Sequence, residues 1–385
     1  MFKLANKVDH ISPFYAMELV KHAAVLEAQG RDIVHMSLGE PDFTAIDPVV
    51  QALEAAVRAG QTQYTAAVGL PMLRQAIAAF YESRFGAKID PARVVVTAGA
   101  SGALMLAMTA LLEQGDEVLM ADPAYPCNRH FVTAAGGNAR LIPTGPEDRF
   151  QLAPGHVREH WNEKTAGVII ASPSNPTGTS IAPDALAELV QEVRQRGGFT
   201  IVDEIYLGLS YGEERRSAAT LGDDVIIVNS FSKYFDMTGW RLGWLIVPPQ
   251  MVGGFEKLAQ NLVICASTLS QHAALACFTP SALAEFEVRR EAFRQRRDYL
   301  LPHFERLGLH VPVKPDGAFY IYADVSQHAT DSFAFAARML EEAGVCAVPG
   351  MDFGQADSQR YMRFSYANSM PRLEEGVARL ERFLR

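Results

Sequence analysis

Seven short apolar runs, rich in β-branched residues, recur along the middle of the chain. They are Val94–Thr97, Glu117–Ala121, Ala139–Ile142, Gly167–Ala171, Phe199–Val202, Val225–Asn229 and Leu242–Val247. Between them lie amphipathic stretches of helical spacing. That alternation is what a sheet with crossover helices requires. Several runs are apolar without strict alternation, which predicts strands buried on both faces. The pattern therefore predicts an α/β fold, with a mostly parallel, helix-covered sheet between about residues 45 and 250. The connection from Lys233–Arg241 into Leu242–Val247 is too short for a helical crossover. That last strand is expected to run antiparallel.

Past about residue 280 the texture changes. Residues 281–307 read as one long charged helix, broken near Pro302. Gly317–Tyr322 and Arg360–Phe364 read as strands of a smaller α+β unit. Residues 15–30 read as a helix that packs on that unit. The expected division is 1–44 for the N-terminal segment, 45–280 for the large unit and 281–385 for the small one.

Composition narrows the function classes. The chain has 385 residues, 49% hydrophobic and 21% charged, an ordinary globular balance. Its 35 Lys+Arg against 44 Asp+Glu give a net charge of -9. That argues against a partner such as nucleic acid or an anionic membrane surface, while leaving room for a local basic pocket. Cys127, Cys265, Cys277 and Cys346 have no metal-type spacing, so free thiols in a reducing, cytoplasmic compartment are expected and a metal site is not. No signal-peptide core or membrane-length apolar stretch is evident.

Ligands of parallel α/β sheets bind beyond the carboxyl ends of the strands, so the residues just after each run are the candidates. After Val94–Thr97 come Gly99, Ala100 and Ser101, small residues opening a helix, where backbone N–H groups can approach an anion. After Gly167–Ala171 comes Ser172-Pro173-Ser174-Asn175-Pro176-Thr177-Gly178, a pinned turn offering both amide functions of Asn175. After Phe199–Val202 come Asp203, Glu204 and Tyr206; a carboxylate at a buried strand end needs a partner. After Val225–Asn229 come Ser230, Lys233 and, further on, Arg241; a lysine among aromatics suits Schiff-base chemistry. Each segment alone has a bland reading as a turn, a cap or a solvated loop. Together they provide what one molecule requires. Pyridoxal 5'-phosphate has an aldehyde, a pyridine nitrogen and a phosphate, and each needs a different group.

The motifs SPSNPTG, IVDEIY and SFSKYFDMTGWRLGW, in that order, closely resemble those of the class I/II aminotransferases of PLP fold type I. SLGEPDF, QYTAAVGLPMLRQAI, PDGAFYIYADV and YMRFSYA fit the same family, so the resemblance runs from about residue 10 to the C-terminus. It implies a large domain with a seven-stranded sheet, a smaller α+β domain, and a homodimer with shared active sites. It also implies roles. Lys233 forms the Schiff base and moves the Cα proton. Asp203 pairs with the pyridine N–H. Tyr206 and Asn175 hydrogen-bond the ring hydroxyl oxygen, and Tyr125 stacks on the ring. Ala100, Ser101, Ser230 and Arg241 bind the phosphate, with Tyr64 reaching the neighbouring subunit's phosphate. Arg363 grips the substrate α-carboxylate, joined by Gly39 and Asn175. The implied activity is ping-pong transfer of an amino group from an L-amino acid to a 2-oxo acid.

For the donor side chain, some relatives carry a lysine at the position of Ser101, or hydroxyl residues where Phe14 and Tyr15 stand. This chain has neither. Phe14, Tyr15 and Met17 suggest an apolar wall and a neutral or aromatic donor, with pyruvate or 2-oxoglutarate as acceptor; aspartate stays open. Arg129 is a stray cation, read as exposed on a helix. Three rival readings share parts of this residue set. A PLP-dependent carbon–sulfur β-lyase shares Lys233, Asp203 and Arg363. An α/β-hydrolase would use Ser101, Asp203 and His328, but Ala103 breaks its motif. A regulator's effector domain would carry a basic DNA-binding extension, which is not evident here.

Overall fold

The computed structural model describes residues 3–13, 15–212 and 215–385. Among them, twelve strands form in chain order: β1 (Val34–His35), β2 (Val94–Thr97), β3 (Glu117–Asp122), β4 (Asn138–Pro143), β5 (Thr165–Ala171), β6 (Phe199–Asp203), β7 (Ile226–Ser230), β8 (Gly243–Ile246), β9 (Tyr320–Asp324), β10 (Val345–Cys346), β11 (Val348–Pro349) and β12 (Tyr361–Ser365). The seven apolar runs become β2 to β8, each within about two residues of the predicted bounds.

These seven strands make one sheet in the order β2-β8-β7-β6-β5-β3-β4. Neighbours from β7 to β4 are parallel, while β8 runs antiparallel to both β2 and β7. Two apolar layers explain the uninterrupted runs. Val96, Val168, Ile170, Val202 and Ile227 pack on one side, and Val95, Val118, Ile169, Ile201 and Val228 on the other. Each such fully buried aliphatic side chain contributes about 1.5–3 kcal/mol.

A second, three-stranded antiparallel sheet has the order β11-β12-β9. The strand β9 starts at Tyr320 rather than at Gly317. The N–H groups of Asp316 and Gly317 instead donate to the Gly178 carbonyl, both at 2.9 Å, which docks this turn on the 172–178 loop. The helix Pro280–Arg306 is not broken at Pro302. Proline there forfeits one bond in the last turns, and the buried Phe286, Phe293, Leu300 and Phe304 hold the helix against that loss.

The first helix, α1 (Tyr15–Ala28), packs on the small sheet, where Ala16 joins Val348 and Phe353. The carboxylate of Asp352 accepts from the N–H groups of Tyr15 at 2.9 Å and Ala16 at 3.3 Å, satisfying two orphan donors of the first turn. No described helix is long and apolar enough to cross a membrane, and no metal-holding cluster occurs among the described residues. All four cysteines are free.

Candidate active site

The sheet topology decides which residues meet. Parallel pairing aligns the carboxyl ends of β5, β6 and β7, with Ala171 opposite Asp203 and Asp203 opposite Val228. Asn175, Asp203 and Lys233 therefore emerge at one edge. Because β8 is antiparallel, its first residue lies at that same edge. Gly243 pairs with both Thr97 and Ser230, so the preceding Arg241 is delivered beside the start of helix Gly99–Leu111.

Two glycines make this approach possible. A Cβ on Gly243 would sit 2.7 Å from the Gly99 carbonyl carbon and 2.8 Å from the Ala100 nitrogen. A Cβ on Gly99, whose φ is +72°, would sit 2.6 Å from Arg241 Nη2. The arginine fork, fixed through Nη1 to the Thr238 carbonyl at 2.9 Å, thus lies against a helix N-terminus. Helix dipole and guanidinium together form an anion cradle.

These groups line a cavity of about 760 Å³. Lys233 donates from Nζ to the Gly39 carbonyl. Burial holds its ammonium down to about 8, helped by the cations of Arg363 and Arg241 and opposed by Glu40 and Asp203. Asp203 accepts from the Ile205 N–H at 3.0 Å, and burial pushes its carboxyl up to about 6. The Tyr206 hydroxyl lies 2.8 Å from that of Tyr320, and burial keeps both phenols protonated. Tyr125, Ala100 and Ser101 complete this half.

The opposite half is built around Arg363, from β12. It is 2% exposed and donates to Asn175 Oδ1 at 2.9 Å and to the Ser37 carbonyl at 2.7 Å. Its planar group lies between two rings, 4.4 Å from the centroid of Tyr320 and 4.9 Å from that of Phe353. Its Nε has no partner, which leaves a buried donor unsatisfied. Ala16, Met17 and Val20 of α1, with Leu38, form an apolar wall nearby.

Not every expected residue is brought together. Ser230 lies one layer back, donating to Ser232 Oγ at 2.9 Å, and Ser232 lines the cavity instead. Tyr64 is 79% exposed and does not line this chain's cavity. Phe14 lies outside the described residues. Tyr15 faces a separate cleft of about 880 Å³ on the other side of α1. Arg129 also lines that cleft; it is half-buried rather than exposed, bonded to the Asp352 carbonyl at 3.1 Å. His328 bonds the Leu307 carbonyl and stacks on Phe335, outside the cavity that Ser101 lines, so the hydrolase triad does not assemble. Of the expected apolar wall Met17 lines the cavity, while Tyr320, Ser232, Glu40, Ala16, Val20 and Leu38 carry no role in the sequence reading. Leu38 and Glu40 stand in SLGEPDF, Tyr320 in PDGAFYIYADV and Ser232 one residue before the lysine; no motif marks Val20.

The residues fit pyridoxal phosphate. A desolvated lysine, a buried carboxylate, a glycine-walled anion cradle and an unsatisfied buried arginine donor match its carbonyl, ring nitrogen and phosphate and the carboxylate of an amino acid. Fold and site together define a pyridoxal-phosphate-dependent enzyme of fold type I. The profile of "Aminotransferase class I and II" matches residues 31–380, and the chain belongs to that family. It is 40% identical to "Valine--pyruvate aminotransferase" of Mycobacterium tuberculosis, over 97% of each chain. It is 35% identical to "Probable aspartate/prephenate aminotransferase" of Aquifex aeolicus, over 99% of this chain and 98% of that one. Its fold superimposes on the crystal structure of an aminotransferase from Mycobacterium tuberculosis with a TM-score of 0.96 at 39% identity, covering 100% of this chain and 99% of the other.

Proposed function

We propose that the protein is a homodimeric, ping-pong aminotransferase that takes the amino group of neutral aliphatic or aromatic L-amino acids and passes it to pyruvate or 2-oxoglutarate. The observation that carries the donor preference is the charge arrangement of the cavity. Its lining cations are Lys233, Arg241 and Arg363, each directed to a separate partner. Against the remaining wall of Ala16, Met17, Val20 and Leu38, an acidic side chain would lose its hydration without gaining a cation. The 40% identity to a valine–pyruvate enzyme supports this reading, while the 35% identity to an aspartate/prephenate enzyme supports the rival donor.

When bound, pyridoxal phosphate supplies a carbonyl that bonds to amines and a ring that accepts electrons. The chain's residues do the rest. Lys233 Nζ, held down by burial, carries a neutral share near pH 8 and takes and returns the Cα proton. Asp203, as the anion, keeps a proton on the ring nitrogen. Tyr206 and Asn175 donate to the ring oxygen, and Tyr125 covers the ring. Ala100, Ser101 and Arg241 hold the phosphate, with Ser230 behind them. Arg363 orients the substrate carboxylate bidentately, with Gly39 and Asn175 alongside. The exposed Tyr64 serves the partner's site. The large apolar side chains Met72, Leu262, Val263 and Ile264 are exposed and suit a dimer face. The segment before residue 45 and the unit after 280 close the substrate side. Four free thiols fit a cytoplasmic setting.

The test is a half-reaction screen. Holoenzyme is mixed with one amino acid at a time, and loss of the lysine-bound cofactor's absorbance is followed. Valine, leucine or phenylalanine should react about tenfold faster or more than aspartate, the ratio that about 1.4 kcal/mol of selectivity gives. Aspartate as the fastest donor overturns the assigned donor class. Oxo acid formed catalytically with no acceptor present favours a lyase. Sedimentation should give twice the 42.2 kDa chain mass.

A further inference from the structure

Asp203 and Glu204 are successive residues at the end of β6, so their side chains leave opposite faces of the sheet. Asp203 enters the cofactor cavity. Glu204 is 2% exposed on the far side and reaches neither substrate nor cofactor positions. A buried carboxyl group is costly unless well supplied with donors. Here the Ala218 N–H donates to Oε1 at 2.6 Å, and the Ser217 hydroxyl lies 2.9 and 2.8 Å from the two oxygens. The Tyr81 hydroxyl donates to Oε2 at 3.3 Å.

From Tyr81 the hydrogen bonds continue. Asn229 Nδ2 donates to the Tyr81 oxygen at 3.0 Å, and Asn229 Oδ1 accepts from the Ser230 N–H at 2.7 Å. The Ser230 hydroxyl then donates to Ser232 Oγ and accepts from the Ser232 N–H at 3.0 Å. Ser232 lines the cofactor cavity beside Lys233. One chain of buried polar groups thus starts one residue after Asp203 and ends one residue before Lys233, passing behind both.

We propose that Glu204 is a positioning residue for the cofactor site: through Tyr81 and Asn229 it ties the strand end that carries Asp203 to the turn that carries Ser232 and Lys233. The chain crosses from β6 to β7 where the backbone ladder has nearly ended, the last such bond being Glu204 N–H to the Val228 carbonyl at 2.8 Å. Beyond that point these polar side chains join the packing of Gly208 against Tyr234 in setting the separation of the two ends. Other charged groups near Glu204 are Asp203 on its own strand and Arg149, Asp184, Arg216 and Asp316 around the cavity of about 560 Å³ behind it. Burial, reinforced by Asp203, raises its carboxyl to about 7.

This inference rests on the site holding pyridoxal phosphate, and the experiment separates the two claims. The dissociation constant of the cofactor and the pH midpoint of the holoenzyme's visible absorbance are measured for wild type, Glu204→Gln, Tyr81→Phe and the double variant. Each single substitution should weaken cofactor binding about three- to tenfold, the change that one lost hydrogen bond produces. Each should also move the absorbance midpoint. The double variant should be no weaker than the worse single variant, because both cut the same chain. Multiplying losses, or unchanged binding and midpoint with only a lower melting temperature, overturns the proposal. Tyr81→Phe keeps the packed ring, so it decides the matter alone should Glu204→Gln not fold. A wild-type protein that binds no cofactor overturns the site assignment instead.

Discussion

The two halves of the cavity are built in different ways. The cofactor-facing half is made of strand ends. Asn175 and Lys233 follow β5 and β7, Asp203 ends β6 and Arg241 precedes β8, and backbone pairing sets their spacing. The substrate-facing half is assembled from remote pieces: α1, the segment 37–40, Tyr320, Phe353 and Arg363. Arg363 reaches the Ser37 carbonyl across 326 positions of sequence. The first half is therefore held by a buried sheet, the second by side-chain contacts between elements. Common chemistry belongs on the rigid half, and choice of substrate belongs on the half that can vary.

The largest expected effect lies on the first half. Lys233→Ala should lower amino transfer by about 10³-fold or more in a single-turnover assay, since on the proposed mechanism it removes both the nucleophile and the proton carrier. Turnover near the wild-type rate would break the division outright. On the second half, Arg363→Lys keeps the charge but loses the bidentate fork. The kcat/KM for amino acids should fall about 10- to 100-fold, while the cofactor's dissociation constant stays within about twofold of wild type. Equal losses in both quantities would mean that the halves are not separable.

A subtler effect concerns pH. Only the neutral Lys233 amine has a free electron pair. The cofactor-free protein should therefore take up pyridoxal phosphate faster as pH rises, levelling off above about 8, where an ordinary lysine would keep accelerating towards 10.5. The lowered value also means that the folded state binds fewer protons than the unfolded state between these limits. Relative to Lys233→Met, the cofactor-free protein should become more stable as pH rises from about 8 to 10.5, measured by denaturant titration. The contribution is present above 10.5 and is lost as pH falls through about 8. A plateau near 10 would show that burial does not act on this amine.

Legibility in the sequence followed the same division. The large sheet was readable because its strands are buried on both faces and so carry contiguous apolar runs. Even the antiparallel β8 followed from the shortness of its connection. Asn175, Asp203, Lys233 and Arg241 were readable because each stands within a few residues of such a run. The small unit was read less accurately. The strand β9 begins three residues later than the local pattern predicts, because Asp316 and Gly317 spend their N–H groups on Gly178, a contact 138 residues away from Asp316 that no local pattern announces. Pro302 does not break its helix, because Leu300 and Phe304 are packed in the core, a contact that the local sequence does not announce.

The sequence by itself determined the succession of strands along the chain, the chemistry waiting at each strand end and the family to which the chain belongs. Those properties reside in short segments, where period, turn residues and side-chain type are local facts. The tertiary structure alone decided that Ser232 stands in front of Ser230, that Met17 lines the cavity while Tyr15 faces the separate cleft, and that Arg129 serves Asp352 rather than the cavity. It also decided that Glu204 communicates with Asn229 through Tyr81. These are contacts between distant segments, fixed by how packed elements cross, and dense packing leaves their outcome unreadable until the elements are in place.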